Sequence, residues 1–349
     1  MNYAIIKKLP SPEKIIEEIP LSKAGYEQII RDQKEVKAIL SGQDSRLLMV
    51  VGPCSAWPKT AVLDYADKLL KLNESVKSHL KLIMRVYIQK PRTTKGWTGP
   101  VNQPDPLAYP NIEAGIRYAR DMMVKVVEKG LAIADEALFT HSSKGFLELL
   151  SWVAIGARST EDQEHRIFAS AIDCPVGMKN PTHGSLTVAI NSILAAQSTH
   201  VAVFDGYEVQ TNGNPFAHLV LRGSQSGPNF SIEHLRQAQK LMAGHQIKNP
   251  SIVVDASHDN CLVEGKKDYR LQPKVIEAVM DTIQQFPEMG KLVKGFMMES
   301  FIKEGHQKVE PGRSQSIDMG GLSITDGCVG WQATEDFLLK LAERKAAYG

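Results

Sequence analysis

Eight short apolar runs, each closing in a polar or charged cluster and each followed by residues at helical spacing, predict an α/β fold, a (β/α)8 TIM barrel. It carries an N-terminal extension and an insertion before the sixth strand. The runs end at Gly-Pro-Cys-Ser (52–55), Met-Arg-Val-Tyr (84–87), Ala-Asp-Glu (134–136), Gly-Ala-Arg-Ser-Thr (156–160), Met-Lys-Asn (178–180), Leu-Arg-Gly (221–223), Asp-Ala-Ser-His (255–258) and Met-Met-Glu-Ser (297–300). A strand gains nothing from a charge at one end unless that end faces a shared site. Parallel strands closed into a barrel put all their C-terminal ends on one rim, where active sites of that architecture lie. Helical stretches between the runs favour parallel pairing, because parallel strands need long crossovers.

Taken in order, residues 1–45 form the extension, read as serving oligomerisation or regulation. Pro10, Pro12 and Pro20 break its start, and a polar helical stretch runs from about Lys23 to Leu40. The catalytic barrel spans 46–349, and no Pro/Gly/Ser linker divides it. After the first run, Val62, Ala66, Leu69 and Leu70 keep helical spacing. After the second come Ile112, Ile116, Ala119, Met123 and Val127, with Gly130 as a C-cap. Phe146, Leu147, Leu149 and Leu150 predict a helix after the third, and Phe168, Ala171 and Ile172 one after the fourth. Val188, Ile190, Ile193 and Leu194 follow the fifth, Leu235, Ala238 and Leu241 the sixth, and Val275, Val279 and Ile283 the seventh. Phe337, Leu338 and Leu341 follow the eighth, with Thr334 as the expected N-cap. Two connections are long, 88–111 and the inserted 198–217, and long loops in compact barrels usually carry function.

Composition narrows the function. The chain has 349 residues, 43% of them apolar, enough for a large core. Its 41 basic and 39 acidic residues leave a net charge of +2, so no global basic field awaits nucleic acid or an anionic membrane. Neither partner is expected. No run reaches the roughly 18 apolar residues of a membrane-spanning helix, and the start lacks a secretory apolar core. Four widely spaced cysteines (54, 174, 261, 328) suggest reduced thiols, hence a cytoplasmic protein.

The predicted rim carries Cys54, Arg85, Glu136, Arg158, Lys179, Arg222, His258 and Glu299. Arginines offer paired donors to phosphate and carboxylate. Lys90 and Arg92 in the long connection 88–111 add charge, and Thr93 and Thr94 add hydroxyls. Cys54, His258, Glu299 and Asp326 are potential ligands of one divalent metal, of a mixed hardness suited to Mn, Fe, Co or Zn without choosing among them. Taken singly, Cys54 reads as well as a buried apolar thiol and His258 as a satisfied core histidine; their shared rim argues otherwise. Glu136 could orient water or a lysine, or form a structural ion pair. Lys90 or Lys179 could form a Schiff base, a minor reading beside a dedicated metal set. The stretch 264–268 reads as a solvated charged face. The site is therefore one for an anionic, phosphorylated substrate beside a metal.

The ordered set also resembles a known family. Gly-Pro-Cys-Ser (52–55), Lys-Pro-Arg-Thr-Thr (90–94), Gly-Ala-Arg-Ser-Thr (156–160), Lys-Asn (179–180), Leu-Arg-Gly (221–223), Asp-Ala-Ser-His (255–258), Met-Glu-Ser (298–300) and Ser-Ile-Thr-Asp (323–326) together resemble the short microbial class I form of 3-deoxy-D-arabino-heptulosonate 7-phosphate (DAHP) synthase. The resemblance implies condensation of phosphoenolpyruvate with erythrose 4-phosphate, the first step of the shikimate pathway. It implies that Cys54, His258, Glu299 and Asp326 bind the metal. Arg158, Lys179 and Arg222 would hold the phosphoenolpyruvate phosphate, Arg85 and Lys90 its carboxylate and reacting end, and Arg92 and Thr93 the sugar phosphate. Glu136 and Lys90, with Cys54 and His258, would serve the chemistry. A homodimer or homotetramer is implied. So is an aromatic amino-acid effector pocket, with no choice among phenylalanine, tyrosine, tryptophan and none. The sequence departs from the family at Ala56, Trp57, Asp135, 139–143 and a shortened 203–210, and Asp135 is expected to change the charge near the reacting carbon. Two other readings compete: the related synthase that uses arabinose 5-phosphate, and a catalytically silent amino-acid-binding paralogue.

Overall fold

A computed structural model describes residues 1–92, 96–138, 144–204, 206–310 and 316–348. Eight parallel strands close a barrel: β1 (Leu47–Gly52), β2 (Leu80–Arg85), β3 (Ala132–Glu136), β4 (Trp152–Ile155), β5 (Val176–Lys179), β6 (His218–Leu221), β7 (Ile252–Asp255) and β8 (Val293–Glu299). Neighbours in sequence are neighbours in the sheet, and β1 closes on β8 with Gly52 opposite Glu299. The runs are apolar throughout because both faces are covered. Leu48, Val50, Ile83, Ala134, Trp152 and Met297 are among those filling the interior, while Met49, Val51, Ile133 and Val153 face the helices. The indole of Trp152 fits because β5 offers Gly177 there: a Cβ on Gly177 would lie 2.2 Å from Trp152 Cζ2.

The helices are α1 (Pro12–Glu18), α2 (Lys23–Leu40), α3 (Lys59–Val76), α4 (Ile112–Glu128), α5 (Gln163–Ala171), α6 (Leu186–Gln197), α7 (Ile232–Gly244), α8 (Gln272–Gln285), α9 (Pro287–Gly290) and α10 (Trp331–Tyr348). The α2 span matches the predicted one, capped by Ser22, whose hydroxyl accepts from Gly25 N. Its end enters the barrel core, where Val36, Ile39 and Leu40 pack with the interior side chains. Gly130 lies one residue beyond the α4 C-cap at φ 106°, a conformation glycine adopts freely.

Two expectations are corrected. Between β3 and β4 the described residues form one 3-10 turn, Leu147–Leu149, where a helix was predicted. The apolar cluster there is too short to sustain an α-helix. Thr334 is not the N-cap of α10, which starts three residues earlier; its hydroxyl is buried and bonds Gly330 O at 2.9 Å and Ser300 Oγ at 2.6 Å.

The insertion is an antiparallel hairpin, Val201–Phe204 with Tyr207–Gln210. The other long loop is anchored by Trp57, Trp97 and Ile324. Both indoles there donate to loop carbonyls at 2.8 Å, Trp57 to Pro104 O and Trp97 to Gln103 O.

Candidate active site

The strand ends converge on a cavity of about 270 Å³. At one side, Cys54, Glu299 and Asp326 bring their ligand atoms within 4.8 Å of one another. The β1–β8 register pairs Glu299 with Gly52, two residues before Cys54. Asp326 arrives on a loop tied back to Ser55 by a 3.0 Å hydroxyl contact with Thr325. Lys90 Nζ sits 2.9 Å from both Cys54 Sγ and Asp326 Oδ2. Burial alone would raise the Asp326 carboxyl, but Lys90 outweighs it and holds it well below the usual range. Burial, then Glu299, pushes the Cys54 thiol up to about 11.

His258 stands outside this three-residue group, on the same cavity wall at the end of β7. Its backbone is left-handed, φ 59°. Its Nδ1 is held 3.0 Å from Asp255 Oδ2 and 2.6 Å from Ser257 Oγ. Ligating imidazoles are commonly held this way at the nitrogen that does not bind metal. A thiol, two carboxylates and the remaining Nε2 therefore make a donor set that fits a divalent ion such as Mn, Fe, Co or Zn.

The other side is cationic. Arg85 is 1% exposed; it donates to Glu299 Oε1 at 3.1 Å and stacks 3.9 Å over the Tyr87 ring. Lys179 Nζ bonds Asp255 Oδ2 at 2.9 Å. Asp255 is fully buried; burial opposes its ionisation, but His258 and Lys179 hold its carboxyl well below the ordinary range. Arg222 bonds Asp259 at 2.5 Å, and its backbone N–H is fixed by Asn180 Oδ1 at 2.9 Å. Arg158 is exposed on the cavity lip, and Arg92 is turned by a bond to Trp97 O at 2.8 Å. Glu136 lies against Gly156, where an added Cβ would stand 2.0 Å from its Oε1. Thr93, with Thr94, lies outside the described residues.

A search for similar proteins matches residues 23–339 to the model of the DAHP synthetase I family. The chain belongs to the DAHP synthetase I family. It is 41% identical to the Tyr-sensitive phospho-2-dehydro-3-deoxyheptonate aldolase of Salmonella typhimurium, over 95% of this chain and 92% of that one. It is 40% identical to the phenylalanine-inhibited enzyme of Saccharomyces cerevisiae, over 96% and 90%. The solved phospho-2-dehydro-3-deoxyheptonate aldolase of Francisella tularensis superposes with a TM-score of 0.91 at 34% identity, covering 99% of both chains.

For this DAHP synthetase I family member, every described residue singled out on the rim lines the cavity or, as Cys54, touches a residue that does. Sequence reasoning missed Tyr87, Lys267 and Asp255. Lys267 is not part of a purely solvated face: it lines the cavity and lies 3.7 Å from Asp259. Asp135 is corrected too. It does not line the cavity but turns to the opposite face of β3, into an apolar recess beside Val101, Phe146, Leu150, Val153 and Phe168. There one of its oxygens accepts from Glu136 N at 2.8 Å and Ile88 N at 3.3 Å.

A second cavity, about 360 Å³, opens between α2, the segment 144–148, the turn at 171–174 and Phe204 of the hairpin. Tyr26, Ile29 and Ile30 give it an apolar wall; Gln33, Lys144, Glu148 and Asp173 give it polar groups.

Proposed function

We propose that the chain is a 3-deoxy-7-phosphoheptulonate synthase, a transferase that joins phosphoenolpyruvate, erythrose 4-phosphate and water to give DAHP and inorganic phosphate. The observation that carries this is the single cavity in which the cations Arg85, Lys179 and Arg222 face the group Cys54, Glu299 and Asp326. Family membership supports it. Arg158, Lys179 and Arg222 hold the phosphate of phosphoenolpyruvate, and Arg85 and Lys90 its carboxylate and reacting end. Arg92 and Thr93 take the sugar phosphate. A divalent ion held by Cys54, His258, Glu299 and Asp326 supplies, when bound, Lewis acidity toward a carbonyl oxygen.

The methylene carbon of phosphoenolpyruvate forms a bond to the aldehyde carbon. Water then adds to the enol carbon that has become electron-poor. Glu136 orients that water and takes its proton, and Lys90 holds a proton near the former aldehyde oxygen. The C–O bond from the tetrahedral carbon to the phosphate then breaks as the hydroxyl added there loses its proton and becomes the keto group. The phosphate leaves with that proton balanced on it and its charge met by fixed cations.

The test is phosphoenolpyruvate consumption by the purified protein with erythrose 4-phosphate and, separately, arabinose 5-phosphate, with and without manganese. Turnover with the four-carbon sugar alone, abolished by a chelator, is expected. Turnover that survives chelation would sink the metal assignment; no turnover with either sugar would sink the function.

The second cavity supports an aromatic amino-acid effector, since it offers an apolar wall and charged groups of both signs at its edge. Tyr-sensitive and phenylalanine-inhibited relatives are consistent with one. The extension and the exposed hairpin support a homodimer or homotetramer. A cytoplasmic location follows from the same biosynthetic role, and no described helix is long and apolar enough to cross a membrane.

A further inference from the structure

Among the described residues that line the catalytic cavity, Tyr87 is a neutral polar group whose buried hydroxyl has no partner. It follows β2 by two residues, is 3% exposed, and packs with the barrel interior. Its Oη is buried and has no hydrogen-bond partner among the described residues. Its ring is not free to seek one. The Arg85 guanidinium lies 3.9 Å over the ring centroid, and Arg85 is itself fixed by bonds to Glu299 and to Pro53 O. Burial pushes the phenol well above its ordinary range, so the hydroxyl keeps its proton and remains a donor. A buried hydroxyl left unpaired is costly, and native proteins seldom keep one without a purpose. The cavity that Tyr87 lines holds seven Lys or Arg side chains against three carboxylates among its described residues, so its occupant is an anion with oxygen acceptors.

We propose that Tyr87 is a substrate-binding residue, whose hydroxyl donates a hydrogen bond to an anionic oxygen of the phosphoenolpyruvate held against Arg85. This rests on the function proposed above and deepens it. The roles of the two neighbours differ. Arg85 supplies charge to any anion, whereas a fixed neutral donor rewards only an oxygen at one place. Tyr87 thus orients a ligand that the cations attract.

Tyr87→Phe removes the hydroxyl and nothing else. Three quantities decide the matter: the phosphoenolpyruvate affinity by titration calorimetry, the steady-state kcat/KM with erythrose 4-phosphate, and the melting temperature of the ligand-free protein. Loss of one bond to a charged acceptor is expected to lower affinity and kcat/KM about ten- to a hundred-fold. The melting temperature should stay level or rise, because an unpaired buried polar atom has been deleted. Affinity and kcat/KM within two-fold of the parent would overturn the inference. So would a loss accompanied by a melting temperature several degrees lower, which marks a structural role. A parent that binds phosphoenolpyruvate without turning it over would overturn the proposed reaction alone, and the affinity ratio would still decide Tyr87.

Discussion

Asp135 shows how one buried carboxyl can make stability depend on pH. Burial in the apolar recess raises its pKa from the ordinary 3.8 to about 8, against the pull of the two N–H donors. Folded, the group keeps its proton where the unfolded chain has lost it. The stability that goes with that proton is full below about pH 4 and is lost as pH rises through about 8. Asp135→Asn keeps an oxygen for Ile88 N and Glu136 N and cannot ionise. Its melting temperature should therefore exceed the parent's at pH 9, with the gap closing toward pH 5, by calorimetry across that range. Parallel profiles would show that Asp135 is solvated. Residues at this scale were legible where an apolar run ended in a charge: Arg85, Lys179, Arg222 and Glu299 were all found that way. Tyr87 and Asp255 were not, because nothing in their local sequence separates a core tyrosine from a cavity wall, or a strand-end aspartate from the anchor of Lys179 and His258.

At the scale of elements, α2 is the segment whose role changed most between sequence and structure. Its boundaries could be read from Ser22 and the periodicity that follows. Its destination could not, because a helix with one apolar stripe does not say which surface that stripe covers. Val36, Ile39 and Leu40 enter the barrel interior, so the proposed extension is also part of the core. Ile39 is fully buried. Ile39→Ala should destabilise the protein by about 2–5 kcal/mol, read as a lower denaturant midpoint. An unchanged midpoint would mean that α2 docks only loosely. The turn at Leu147–Leu149 failed to be read for the opposite reason: its leucines have helical spacing, but the apolar cluster is too short to propagate a helix.

At the scale of the whole molecule, the hairpin keeps apolar side chains in solvent. Val201, Val203 and Tyr207 are 68, 79 and 72% exposed, and Ile5 and Ile6 of the extension are exposed as well. The proposed partner subunit would cover them and offset the cost. Val203→Glu with Tyr207→Glu should shift the protein to a smaller species in sedimentation or light scattering. A monomeric parent would refute the oligomer. The barrel as a whole was legible because its eight runs repeat one pattern, and repetition survives errors at any single run.

One last consequence follows from Asp255. Its Oδ2 takes both Lys179 Nζ at 2.9 Å and His258 Nδ1 at 3.0 Å. Two tenants of the site thus share one counter-charge. Under the proposed roles, an anion that satisfies Lys179 would leave Asp255 to polarise His258 more strongly, and a cation drawn to His258 would release Lys179 toward the anion. Occupancy of either half would then favour the other, and thermodynamic reciprocity would make the two enhancements equal.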